Sequence, residues 1–103
     1  MLKRRFEILL PLEHSDGTGA AQYVMQTRDE LVAEFGKKSV LPPFIYHVWP
    51  AGGPGWNNEM VLIITHVEDS AANLQFFRRL KEKLRERFKN LEIYIVSYLV
   101  EVL

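Results

Sequence analysis

Apolar positions along this chain alternate between short runs and helical spacing. Residues 4–10 form the first short run, closed by Pro11, and predict a strand. The polar, Gly-rich stretch 13–19 predicts a loop. Val24, Leu31 and Phe35, with Thr27 or Arg28 in the gap, mark one face of a helix over 20–35. Gly36 ends it, since glycine takes a left-handed cap without a Cβ clash. Residues 44–49 predict a second strand, and Pro42 and Pro43 before it suit an edge. Residues 50–55 form a Gly/Pro hairpin loop, and 59–67 a third strand. Asp69 or Ser70 caps a second helix running to Phe88, with Asn90 at its end. Residues 91–102 form a fourth strand.

The order is βαββαβ, and its halves repeat. Val24, Thr27, Leu31 and Phe35 are spaced 3, 4, 4, and so are Phe77, Leu80, Leu84 and Phe88, 53 positions later. A duplicated unit of this kind predicts an α+β, ferredoxin-like split fold. The expected sheet is four-stranded and antiparallel, in order 4-1-3-2, with two helices on one face. Right-handed crossovers are expected to set strands one and three side by side in the centre, parallel to each other.

One hundred and three residues make one domain, 1–103. Thirteen basic and thirteen acidic residues cancel, so no global field draws in nucleic acid or an anionic membrane. With no cysteine, disulfides, thiolate metal sites and Cys nucleophiles are excluded. The basic start, Lys3-Arg4-Arg5, precedes an apolar run too short for a secretory signal, and no stretch reaches membrane-spanning length. The expected location is cytoplasmic.

Further residues stand out along the whole chain: Glu7-Ile8-Leu9-Leu10-Pro11-Leu12, Asp16-Gly17, Glu30-Leu31, Phe35-Gly36, Asn73, Phe76-Phe77, Leu80-Lys81, Arg87-Phe88 and Tyr98-Leu99-Val100-Glu101-Val102. In these the chain resembles a group of small uncharacterised bacterial proteins of about this length. It departs at residues 39–58, where such proteins carry a Gly-x-Trp and a short polar turn. Here Trp49 and Trp56 flank a Gly/Pro loop. The resemblance implies a ferredoxin-like domain of unknown function, and brings no activity or cofactor.

Candidate chemistry is sparse, and no catalytic residue or resident metal is expected. His14-Ser15-Asp16 has the residue types of a hydrolase triad, but consecutive side chains diverge, and an ordinary polar loop accounts for them. The glycines at 52–55 lack the Lys-Ser/Thr of a phosphate loop and precede a strand. The second helix carries seven bases from Arg78 to Lys89 against Glu82 and Glu86, which reads as a solvated face with part of its charge used internally. RNA-binding sheets place aromatics on their two central strands. Strand three has none, and Phe6 is expected to face the helices, so nucleic acid is not an expected partner. His14 and Asp16 after strand one, and His66 at the end of strand three, are expected to share a rim with both helix N-termini. That rim is the candidate small-ligand site.

Val61, Leu62, Ile63 and Ile64 form a continuous apolar run, as strands covered on both faces do. Two helices cover one face. Leu9, Tyr94, Val96 and Tyr98 are candidate interface residues on the other, with a second copy of the chain as the expected cover. Arg5 and Glu7 fall on that same face, either pairing across subunits or keeping it wet. Two readings stand: a homo-oligomeric binding domain without catalysis, and a small enzyme of the dimeric α+β-barrel type.

Overall fold

Alternation along the first segment decides the architecture. In the computed structural model, which describes residues 1–12, 18–47, 59–89 and 93–103, β1 (Leu2–Pro11) buries Phe6, Ile8 and Leu10 on one face. Arg5, Glu7 and Leu9 take the other, as the two-residue period of a strand requires. There follow α1 (Ala21–Phe35), a 3-10 turn (Lys37–Ser39), β2 (Phe44–His47), β3 (Glu59–Val67), α2 (Ala71–Arg87) and β4 (Tyr94–Glu101).

The strands run β2-β3-β1-β4 across the sheet, which counted from the β4 edge is 4-1-3-2. All pairings are antiparallel. This corrects the expected parallel central pair: Arg4 lies opposite Val67 and Pro11 opposite Met60. Each crossover passes over one strand instead of joining neighbours. The parallel relations therefore fall between β1 and β2 and between β3 and β4, which are not adjacent.

One core cluster lies between the sheet and the helices. Val61, Ile63 and Val67 of β3 join Phe6, Ile8 and Leu10 of β1. α1 contributes Val24 and Leu31, and α2 contributes Phe77, Leu80 and Leu84, with Phe88 just beyond it. The repeated 3, 4, 4 spacing is thus the spacing of the buried stripes, and Thr27, fully buried, fills the gap in the first. Phe77 ties the layers together. Its ring stacks on Phe6 at 3.8 Å and lies parallel to Phe35 at 5.5 Å. Burying one such side chain contributes roughly 1.5–3 kcal/mol.

The helix ends follow local chemistry. Ser70 is the α2 cap, its hydroxyl accepting from the Asn73 amide at 3.1 Å. Asp69 pairs instead with Arg4, at 3.1 Å. Gly36 stops α1 at φ 87°, a conformation a side chain would strain. Where the helices meet, Arg87 donates to the Thr27 hydroxyl at 2.9 Å and pairs with Glu30, to which Lys83 also reaches. Part of the α2 charge is therefore used internally. β4 begins at Tyr94, later than the expected residue 91, and residues 90–92 lie outside the described part. So do Trp49, Trp56 and the hairpin loop 50–55. Among the described residues no helix is long and apolar enough to cross a membrane.

Candidate functional site

The sheet face away from the helices carries two kinds of side chain, sorted along the strands. At one end, Leu9 lies between Leu62 on β3 and Tyr94 on β4, and Phe44 on β2 lies beside Leu62. Tyr94 is 60% exposed and Phe44 45%. At the other end, Arg5 lies between His66 and Tyr98, with Glu7 two residues along β1. Val96 is opposite Glu7 and joins the two ends. The strand registers thus bring the four expected interface residues, Leu9, Tyr94, Val96 and Tyr98, onto one face.

Arg5, Glu7, His66 and Tyr98 form a polar quartet. The Arg5 Nε donates to Glu7 Oε2 at 2.7 Å, and the Tyr98 hydroxyl donates to the same oxygen at 2.6 Å. The Arg5 guanidinium also lies over the Tyr98 ring, 5.9 Å from its centre. Glu7 is therefore satisfied within its own chain. The Tyr98 hydrogen bond is the largest influence on its carboxyl and lowers its pKa; Arg5 lowers it further, against the opposing effect of burial. The same bond raises the pKa of Tyr98, because losing the proton loses the bond. Burial first, and then the charge of Arg5, lower the pKa of His66. Its Nε2 is buried and has no hydrogen-bond partner among the described residues.

The expected rim does not assemble through β1 and β3. The end of β1 that leads toward His14 and Asp16 lies opposite Met60, whereas His66 lies opposite Arg5. Six strand steps separate these positions, roughly 20 Å at about 3.3 Å per residue. His14 and Asp16 themselves are outside the described residues. What the antiparallel register removes is the parallel pairing on which that rim was expected. His66 instead belongs with Arg5, Glu7 and Tyr98. Sequence reading placed Arg5 and Glu7 on this face but did not join them to His66. The i, i+2 spacing of Arg5 and Glu7 is local; the contribution of His66 depends on register.

The run Val61 to Ile64 has a partly internal explanation. Ile64 is buried within the single chain, although it is not part of the helix-side core. Its carbonyl accepts from the Leu41 amide at 2.9 Å, and Val40 bridges Thr65, so the chain entering β2 flanks it. Only part of the second apolar face needs another cover.

A hollow of about 360 Å³ lies beside the α2 N-terminus, lined by Arg4, Phe6, Asp69, Leu74 and Ser97 among others. Three of its polar groups are engaged: Arg4 holds Asp69, and Ser70 caps the helix. No cluster of three or more metal-ligating side chains occurs among the described residues. Comparison with protein-family models, curated protein sequences and solved structures returns no match for this chain.

Proposed function

We propose that this is a ferredoxin-like interaction domain without chemistry of its own, which assembles by packing its open sheet face on a second copy. The observation that carries the reading is the exposed apolar end of that face, Tyr94 and Phe44 above all, around Leu9, Leu62 and Val96. Soluble proteins seldom leave an apolar patch of more than a few hundred Å² uncovered. A second copy suits the charge as well. A two-fold interface sets the same patch on both sides, so the patch must tolerate itself. Here Arg5 and Glu7 cancel and are already bonded within the chain, which lowers the cost of drying them.

Nucleic acid is not a partner in this reading. Tyr94 and Tyr98 stand on an edge strand, while Phe6 is enclosed against Phe77. The central strands therefore offer bases no aromatic platform.

Light scattering with size exclusion at micromolar concentration tests the assembly. The wild type should exceed 12.0 kDa, the mass of one chain, and Leu62→Glu should reduce the mass while leaving the circular dichroism spectrum unchanged. A wild type that runs as one chain refutes the reading.

His66 favours a second reading, a small enzyme with its pocket on the sheet face. Its Nε2, without a hydrogen-bond partner among the described residues, lies in the same quartet as the Glu7–Tyr98 bond, and such groups are the raw material of acid–base sites. A small molecule enclosed over Arg5 and His66 in a crystal of the assembled protein would favour this reading. An empty, closely packed face would favour the first.

A further inference from the structure

Met1 and Val102 exchange hydrogen bonds in both directions, 3.1 Å from the Met1 amine to the Val102 carbonyl and 2.8 Å for the return. Doubly bonded pairs alternate along an antiparallel ladder. The backbone N–H and C=O groups of Val102, Val100, Tyr98, Val96 and Tyr94 therefore point toward β1. Those of Ile93, Ile95, Ser97, Leu99 and Glu101 point away, and among the described residues no strand meets them. Sheets usually guard such an edge with Pro, Lys, bulges or brevity. Pro42 and Pro43 lead into β2 at the opposite edge. β4 has neither Pro nor Lys in eight residues, and its sole charge is Glu101 at its end. Exposed apolar side chains gather along it, with Leu99 47% and Tyr98 44% exposed.

The geometry points to β4 pairing antiparallel with β4 of a second copy, about a two-fold axis through Ser97, to make one continuous eight-stranded sheet. For the faces of the two sheets to match, paired residue numbers must sum to an even value, and the side chains choose among such registers. Centring on Ser97 sets Ile95 opposite Leu99 on the helix side. On the open face it sets Val96 opposite Tyr98 and Tyr94 opposite Val100, in the wider-bonded positions where side chains approach most closely. These are aromatic and β-branched partners. Centring on Tyr98 instead would set Ile95 against Glu101. The Ser97 register also uses every outward-pointing backbone group from Ile93 to Glu101.

A second copy fits better than a foreign strand because the sequence complements itself about Ser97. There is an opposing term. Leu74 lies beside Ser97 around the hollow at the α2 start, and Arg78 follows one turn later, so basic helix flanks approach across the axis. Salt should therefore strengthen this joint. The joint is distinct from the face contact proposed above, and with both formed the assembly would contain four chains.

The chain has no cysteine, which permits a direct test. Ser97→Cys and Tyr98→Cys are oxidised separately, each in a Leu62→Glu background that removes the face contact. The Ser97 register brings the two Ser97 Cα atoms to about 5.5 Å, within disulfide reach. Ser97→Cys should form a cross-linked species of twice the chain mass, at least tenfold faster than Tyr98→Cys. Equal rates, or no cross-link, overturn the register. Light scattering of Leu62→Glu alone separates the two proposals: a two-chain mass supports the edge joint, and a one-chain mass overturns it while leaving the face contact standing. Ser97→Pro deletes an outward N–H and should reduce that two-chain species to one. If Ser97→Pro fails to fold, Leu99→Lys does the same task through charge, and a persisting two-chain mass overturns the joint.

Discussion

Replacing Arg87 with Met tests whether the two helices are joined by charge. The Arg87 side chain is only 10% exposed, and its partner Glu30 is 28% exposed. Methionine keeps much of the apolar stem and removes the guanidinium. Two interactions are lost. The charge-assisted bond to Thr27 is worth about 1.5–3 kcal/mol in typical buried settings. The ion pair with Glu30 is partly wetted, and Lys83 remains 3.4 Å from that carboxylate. Its share is therefore closer to the ~1 kcal/mol of an exposed bridge than to the 3–5 kcal/mol of a fully buried one. Thr27 is not orphaned, because its hydroxyl still donates to the Tyr23 carbonyl at 2.8 Å. The sum is a loss of about 2.5–4 kcal/mol. Urea unfolding followed by circular dichroism should show a lower midpoint and an unchanged slope. The thermal midpoint should drop by roughly 10–32 °C, at about 4–8 °C per kcal/mol for a small domain. Adding Glu30→Gln should change little further, because that carboxylate is partly wetted and keeps Lys83. Arg87→Met within ~0.5 kcal/mol of the wild type, the range of ordinary surface changes, would refute the reasoning.

Phe77→Ala removes the ring that stacks between Phe6 and Phe35, and should cost about 3–5 kcal/mol by chemical denaturation. Gly36→Ala places a side chain at φ 87° and should cost roughly 1–2 kcal/mol, read as a lower urea midpoint, although nothing lies within 4 Å of the added Cβ. Acid should destabilise the fold in two stages. The folded pKa of His66 lies below its ordinary 6.5, so the stability it contributes is present above that pH and is lost as pH falls through the folded value. Glu7 acts in the same direction below its ordinary 4.5. His66→Gln should remove the first stage and leave the second, as followed by urea midpoints from pH 7 to pH 3.

Element types were legible in the sequence because their signals are local. The 3, 4, 4 stripes, Gly36 and a cap at Asp69 or Ser70 needed no knowledge of the partners; the choice of Ser70 did, because Asp69 is taken by Arg4. Strand direction was harder. A crossover helix implies parallel strands, but nothing local reveals that another strand lies between them. That one step produced the expected rim of His14, Asp16 and His66. The open face was half legible. Alternation on β1 assigns Arg5, Glu7 and Leu9 to it, and alternation on β4 groups Tyr94, Val96 and Tyr98. That His66 stands opposite Arg5, with Tyr98 beyond, is a property of register, and no single segment encodes it. The second apolar face of β3 was legible as pattern, but the flanking of Ile64 by the chain at Val40 and Leu41 was not.

The central place of β1 shapes how the chain must emerge during synthesis. β1 comes first, yet one side of it is completed only by β4, some 84 residues later between Leu10 and Tyr94. At synthesis rates of about 5–20 residues per second, Phe6, Ile8 and Leu10 wait roughly 4–17 seconds for that side to close. Through that interval the strand has an unpaired edge and an apolar face, the conditions under which nascent chains stick to one another. Lys3, Arg4 and Arg5 stand immediately before the apolar residues. Three like charges there act as gatekeepers, repelling a second nascent strand before the chain's own last strand arrives.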